Sequence, residues 1–132
     1  MRPAAFQDFA VDLLKNSPDV QRVQTLAEAG ETAYPYGLAV TVAGREVRWQ
    51  VYGQLAEGAK HGTPTADIQA TPAPVVAAPV TGTPDAWLAG VVSAAESPEI
   101  ASLDAWSPRE GETQQGVTIV WHNGEKTFIR KI

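Results

Sequence analysis

The order of helix, turn and strand signals in this chain runs through twice. A helix-like stretch, Phe6 to Lys15, leads into Ser17-Pro18-Asp19-Val20. A second, Trp87 to Glu96, leads into Ser97-Pro98-Glu99-Ile100, an offset of 80 residues (97 − 17). A short apolar beat follows each (Val20, Val23, Leu26, then Ile100, Leu103, Trp106). Next come a Gly-Glu-Thr triplet, at Gly30 and at Gly111, and two strand-like runs around a tight turn. A unit of about 50 residues buries only a marginal core alone. The pattern therefore predicts an α+β fold made by internal duplication of an αβββ-like unit, with antiparallel hairpins packed on one helix each in a pseudo-two-fold body. The boundaries are 1–57 for the first unit, 58–83 for a Pro/Ala/Thr-rich linker, and 84–132 for the second, the whole forming one shared globular body.

Within the first unit, Phe6, Phe9, Ala10, Leu13 and Leu14 make one apolar helix stripe. Pro18 stops that helix, and Ser17 is placed to cap a fresh helical turn through Val23. Leu38, Val40 and Val42 alternate with polar or small residues, as do Val47, Trp49 and Val51. Ala43-Gly44 between them suits a two-residue turn that sets Leu38 opposite Trp49 and Val40 opposite Val47. In the second unit, Thr83-Pro84-Asp85 opens a helix with its stripe at Leu88, Val91, Val92 and Ala95. Asn123-Gly124 is a strong hairpin signal. A two-residue turn there sets Trp121 opposite Lys126 and Ile119 opposite Phe128, and places Ile129 with Thr118, Val120 and Thr127 on the other face. That hairpin then reads as apolar on both faces, and the apolar surplus predicts a homodimer unless the linker, through Ile68, Val75 and Val76, covers it. The expected core includes Leu13, Val40, Val47, Trp49, Val91, Ile119, Trp121 and Phe128.

Cysteine is absent, which removes disulfides, thiolate metal sites and cysteine nucleophiles. Asp8 and Asp12 interrupt what would have to be the apolar part of a secretory leader, and no apolar run reaches the roughly 20 residues that span a bilayer. A cytoplasmic protein with no membrane association is expected. His61 and His122 have no second metal ligand at helical spacing, so neither a metal nor a cofactor is expected. A composite site would need the linker to fold His61 against the other unit, for which the sequence gives no reason. The carboxylates are scattered, whereas hydrolytic chemistry needs two or three converging in one pocket. Glu46-Val47-Arg48 has the spacing of a nuclease triplet but carries arginine in place of lysine. No serine sits in a G-x-S-x-G elbow, and no glycine-rich phosphate loop occurs.

Bases cluster in and beyond the hairpins, at Arg45, Arg48, Lys126, Arg130 and Lys131. With Ile129 they make a candidate interaction surface. Interleaved aromatics and bases on a sheet can also stack single-stranded nucleic acid, but a net charge of −5 disfavours it. The segment Leu13 to Val42, with Tyr34-Pro35-Tyr36 before its strand, loosely resembles the opening of bacteriophage tail-completion (tail-terminator) proteins, and no residue role is carried over from that resemblance. The expectation is a small non-enzymatic protein-interaction or assembly protein that binds a protein partner or itself. Nucleic-acid binding and hydrolysis are the alternatives.

Overall fold

A computed structural model describes all of Met1–Ile132. The elements run α1 (Pro3–Lys15), β1 (Val20–Thr25), β2 (Gly37–Val42), β3 (Arg45–Gln54), α2 (Pro84–Ala94), β4 (Ile100–Ala105), β5 (Gly116–Trp121) and β6 (Lys126–Lys131). All six strands join one antiparallel sheet in the order β1-β2-β3-β6-β5-β4. The seam between the halves is β3 against β6, from Trp49↔Lys131 to Gln54↔Lys126. Gln50 pairs with Arg130, and the rungs on either side exchange roles between the halves. Both edge strands also carry a bulge at the matching place, after Val20 and after Ile100. This geometry fits a pseudo-two-fold axis through the Gln50–Arg130 rung.

Strand alternation sends Leu38, Val40, Trp49, Val51, Val117, Ile119, Trp121 and Ile129 to one face, where they form a single cluster with Phe6, Ala10 and Leu14 of α1 and Leu88 and Val92 of α2. Both helices therefore cover the same face, and the opposite face has no helix. Two ordered devices reach across the open face. Leu26 folds over Gly37 and Trp106 over Gly116, where a Cβ would lie 2.2 Å from Leu26 Cδ1 and 2.5 Å from the Trp106 ring. Only glycine allows these close approaches.

The structure corrects several expectations. The segments after Ser17-Pro18 and Ser97-Pro98 are turns, closed by Val20 N–H to Ser17 O and Ile100 N–H to Ser97 O, and each passes straight into a strand without a helical turn. The β-branched residues that follow gain more from pairing with β2 and β5. The first hairpin has the expected register, with Ala43 (φ 52) and Gly44 (φ 76) in its turn. The second does not. Its loop holds one more residue, closed by Gly124 N–H to Trp121 O and Trp121 N–H to Glu125 O, with Gly124 at φ 90. Lys126 then pairs with Val120 and Thr127 with Ile119. A one-residue slip turns every β6 side chain to the other face. Ile129 is fully buried, Phe128 is partly exposed on the open face, and Leu13 and Val47 are only partly buried.

The linker is better described as a strap. Ala70 and Ala73 donate backbone hydrogen bonds to Pro98 O and Ile100 O, and Val76 N–H donates to Ser93 Oγ. His122 Nε2 meets Thr71 O at 2.8 Å, and since a carbonyl only accepts, that nitrogen carries the proton. Ala77 and Ala78 cross α2 at Gly90, where a Cβ would lie 2.4 Å from Ala77 O. This explains why α2 is apolar nearly all round. Trp87 to Ser93 is continuously buried between sheet and strap. Ile68, Val75 and Val76, through which the linker was the alternative to a second copy as cover for the apolar surplus, are exposed. Asp85, fully buried at the start of α2, accepts from Ser107 N–H (2.8 Å), Ser107 Oγ (2.6 Å) and Gly116 N–H (3.2 Å), tying the helix to the loop before β5.

Two substitutions test this packing. Alanine in place of a helical glycine usually adds about 1 kcal/mol of stability, but Gly90→Ala should lower the urea midpoint because the new methyl strikes the strap backbone. Ile129→Asp should abolish the folded state in circular dichroism, whereas Ile129→Val should cost about 1 kcal/mol. A folded, merely monomerised Ile129→Asp protein would place Ile129 outside the core.

Candidate functional site on the open sheet face

The bases singled out in the sequence do not form one surface, because the sheet separates them. Arg48, Lys126 and Arg130 stand on the open face. Arg45 pairs with Val42 and Lys131 with Trp49, so both share the parity of the helix-covered face, where they are exposed at its margins. Ile129 belongs to the core and cannot meet a partner directly.

On the open face, the central rung carries a hydrogen bond from Arg130 Nη2 to Gln50 Oε1 at 2.9 Å. Across the sheet from it lie Gly37 and Gly116, roofed by Leu26 and Trp106. Beside this band Tyr52 and Phe128 are directly paired on β3 and β6. Their rings stack with centroids 5.2 Å apart at an interplanar angle of 26°. Tyr52 remains 37% exposed. Trp106 donates its indole N–H to Thr118 Oγ1 at 2.8 Å, which fixes the ring over Gly116. Among the acids of this face, Glu46 is bound by Arg48 at 3.1 Å and Asp104 by Arg109. Lys126 and Arg130 have no carboxylate partner, so the centre of the face is aromatic and cationic on a chain of net charge −5. The sequence hid this site because Phe128 was assigned inward by the turn length, and because nothing local announces that both helices lie on one side.

A second, polar feature lies at the end of the seam. A cleft of about 470 Å³ is lined by Arg2, Gly53, Gln54, His61, Glu125 and Lys126, among others. The strap thus does bring His61 to residues of the second unit. Glu125 is almost fully buried there, with Oε1 2.6 Å from the Met1 amino group and Oε2 2.8 Å from Arg2 Nε. Arg2 also donates to Thr63 O at 2.8 Å, linking the strap's beginning to the second hairpin. Both carboxylate oxygens of Glu125 are therefore engaged, and no second carboxylate lines the cleft. No group of three or more His, Asp or Glu side chains is placed to hold a metal ion. No helix is long and apolar enough to cross a membrane.

No family model matches the chain, and no curated protein or solved structure matches it. The likeness of Leu13–Val42 to tail-completion proteins gains no support from them.

Three acids give the fold a pH signature. Burial acts to raise both Asp85 and Glu125, but hydrogen bonds outweigh it, from Ser107 and Gly116 for the first and from the Met1 amino group, Asn123 and Arg2 for the second. Both are held below their ordinary values of 3.8 and 4.5. Their stabilisation is present above those values and disappears as pH falls through the lower folded ones. Glu99 is raised, by burial and then by the neighbouring Asp67, so it opposes folding at neutral pH and that opposition fades as it protonates. Thermal melts should therefore show Glu99→Gln more stable than the parent at pH 7 and indistinguishable from it well below pH 4. Asp85→Asn should be less stable at pH 7, with a smaller loss of stability on acidification. A parent-like acid limb in Asp85→Asn would remove Asp85 from the account.

Proposed function

We propose that this chain is a non-enzymatic interaction or assembly protein that engages a partner protein through the open face of its sheet. The observation that supports this most is the stacked Tyr52–Phe128 pair, exposed at the centre of a sheet whose other face takes both helices and the strap. Aromatic anchors with an adjacent arginine are the residue types that dominate protein interfaces. Lys126 and Arg130 lack carboxylate partners, which favours an acidic partner surface. A second copy stacked face to face would bring these cations against their own equivalents. Self-association by this face is thus the less favoured form, and the homodimer expected from a two-faced hairpin loses its main ground once Ile129 is inside.

A second reading has its own observation. A stacked aromatic pair flanked by Arg48, Lys126 and Arg130 could also stack bases of single-stranded nucleic acid. Three cations on phosphates would give a log–log salt slope of about −2.

The two readings separate on one protein and one variant. Tyr52→Ala/Phe128→Ala should remain folded, since the pair lies outside the core. Under the protein reading, the parent cross-links to a defined acidic partner in extracts of the source cell, the double variant loses at least tenfold in affinity for that partner once purified, and a labelled oligothymidylate does not bind at 50 mM salt. Oligothymidylate binding with that salt slope, lost in the double variant, would favour nucleic acid. Sedimentation showing a dimer that Arg130→Glu strengthens would favour a second copy. A double variant that keeps all binding would take the function away from this face.

A further inference from the structure

We propose that the border of β1 is a docking site for an extended, alanine- and proline-rich segment of a partner protein, separate from the open face. Chain of that kind already lies on the matching border of the second unit. There Ala70 and Ala73 of the strap donate to Pro98 O at 2.8 Å and to Ile100 O at 3.0 Å, and Ala73 joins the core cluster with Ile100. One extended segment thus reaches both carbonyls at once.

The first unit repeats the receiving half of this contact without a strap. Its turn is the same. Val20 N–H meets Ser17 O at 3.2 Å as Ile100 N–H meets Ser97 O at 3.1 Å, and a bulge follows each. Pro18 O and Val20 O therefore hold the places of Pro98 O and Ile100 O. Pro18 is exposed, and its carbonyl accepts no hydrogen bond. Ile100, with the strap on it, is 2% exposed, whereas Val20 and Val23 are only partly buried at the margin of the core. Further along β1, Leu26 N–H bonds to Gly37 O, so alternation turns the main chain of Gln24 toward β2 and that of Val23 toward the border. Beyond it, Thr25 is engaged by its own turn, its N–H with Glu28 Oε1 at 3.0 Å and its C=O with Ala29 N–H at 3.1 Å. The receptive stretch is therefore Pro18 to Val23.

These limits define the occupant. Strand addition takes its affinity from main-chain bonds and its specificity from the side chains that alternate into the receiving surface. The two carbonyls need N–H donors spaced as Ala70 and Ala73 are, which excludes proline at those two positions. The margin takes a small apolar side chain at the second of them, as it takes Ala73 in the second unit. Prolines between and after the donors, as at Pro72 and Pro74, hold such a segment extended before it binds. The helices limit its path. Gln7 Oε1 accepts from Gly37 N–H as Asp85 Oδ2 accepts from Gly116 N–H, which matches α1 to α2 at an offset of 78 (85 − 7). Asp12 and Lys15 then stand where Gly90 and Ser93 receive the crossing strap, so the occupant follows the strand and does not cross the helix. The strap itself is held on the second unit, and the occupant comes from another chain.

The test is a ¹H–¹⁵N titration of the full chain with the capped peptide Gln-Ala-Thr-Pro-Ala-Pro-Val-Val, the sequence of residues 69–76. The Val20–Val23 amide signals should shift saturably with a millimolar or tighter Kd, while those of Ile100–Leu103, where the strap already lies, stay in place. The same peptide with N-methylalanine at both alanines lacks the two donors and should bind at least tenfold more weakly. Aspartate at its second alanine should weaken it by a similar factor. The site is overturned if Val20–Val23 show no saturable shift, if the shifts fall on Ile100–Leu103 or on Tyr52 and Phe128 instead, or if the N-methyl peptide binds equally well. Movement of the Val20–Val23 signals on dilution of the protein alone would place a second copy on the border and refute the partner segment.

Discussion

The antiparallel seam between β3 and β6 is the interaction on which the rest of the molecule depends. Each half alone is a helix over three strands, too small to bury a stable core. Pairing Trp49–Gln54 with Lys126–Lys131 makes one sheet of the two and brings α1 and α2 over a common face, so that Phe6 of the first half packs on Trp121 of the second. The seam joins residues 80 apart in sequence at its centre. Closing so long a loop costs chain entropy, which the contacts made across the seam must offset. Because both helices fall on one side, the seam also determines that the other side stays open, with Tyr52 and Phe128 meeting across it.

The two halves differ most in how their helices are covered. The outer side of α1 carries Asp8, Asp12 and Lys15 and faces water. The outer side of α2 carries glycine, valine and serine and faces the strap. Gly90 admits the strap backbone and Ser93 bonds to it, so helix and strap are complementary at close range.

Much of this architecture was legible in the chain. The α+β class, both helices, both hairpins and the register of the first hairpin follow from apolar periodicity and from Ala43-Gly44. The register of the second did not, because Asn123-Gly124 serves a two-residue loop or a longer loop ending on a left-handed glycine equally well, and the choice decides which face Ile129 and Phe128 occupy. Local sequence also could not show that proline-rich 58–83 would pack. Its side chains look unsuited to a core, and it packs mainly through backbone groups against Gly90, Ser93, Pro98 and Ile100. Asp85 was readable as an acid at a helix start, but its partners Ser107 and Gly116 lie more than twenty residues away. The candidate site was half visible for the same reason. Its bases could be named, but their distribution between two faces is a property of the assembled sheet.

The strap has a consequence for growth of the sheet. Any open antiparallel sheet can in principle add strands at both ends and propagate as a fibre. Here the strap's hydrogen bonds at Pro98 and Ile100 occupy the beginning of the β4 border, and a strand arriving there must first displace Ala70–Ala73. The β1 border has no such guard. An arriving strand therefore meets the strap at the first residues of β4 and no such obstacle at β1, which makes main-chain addition easier at one end of the sheet than at the other.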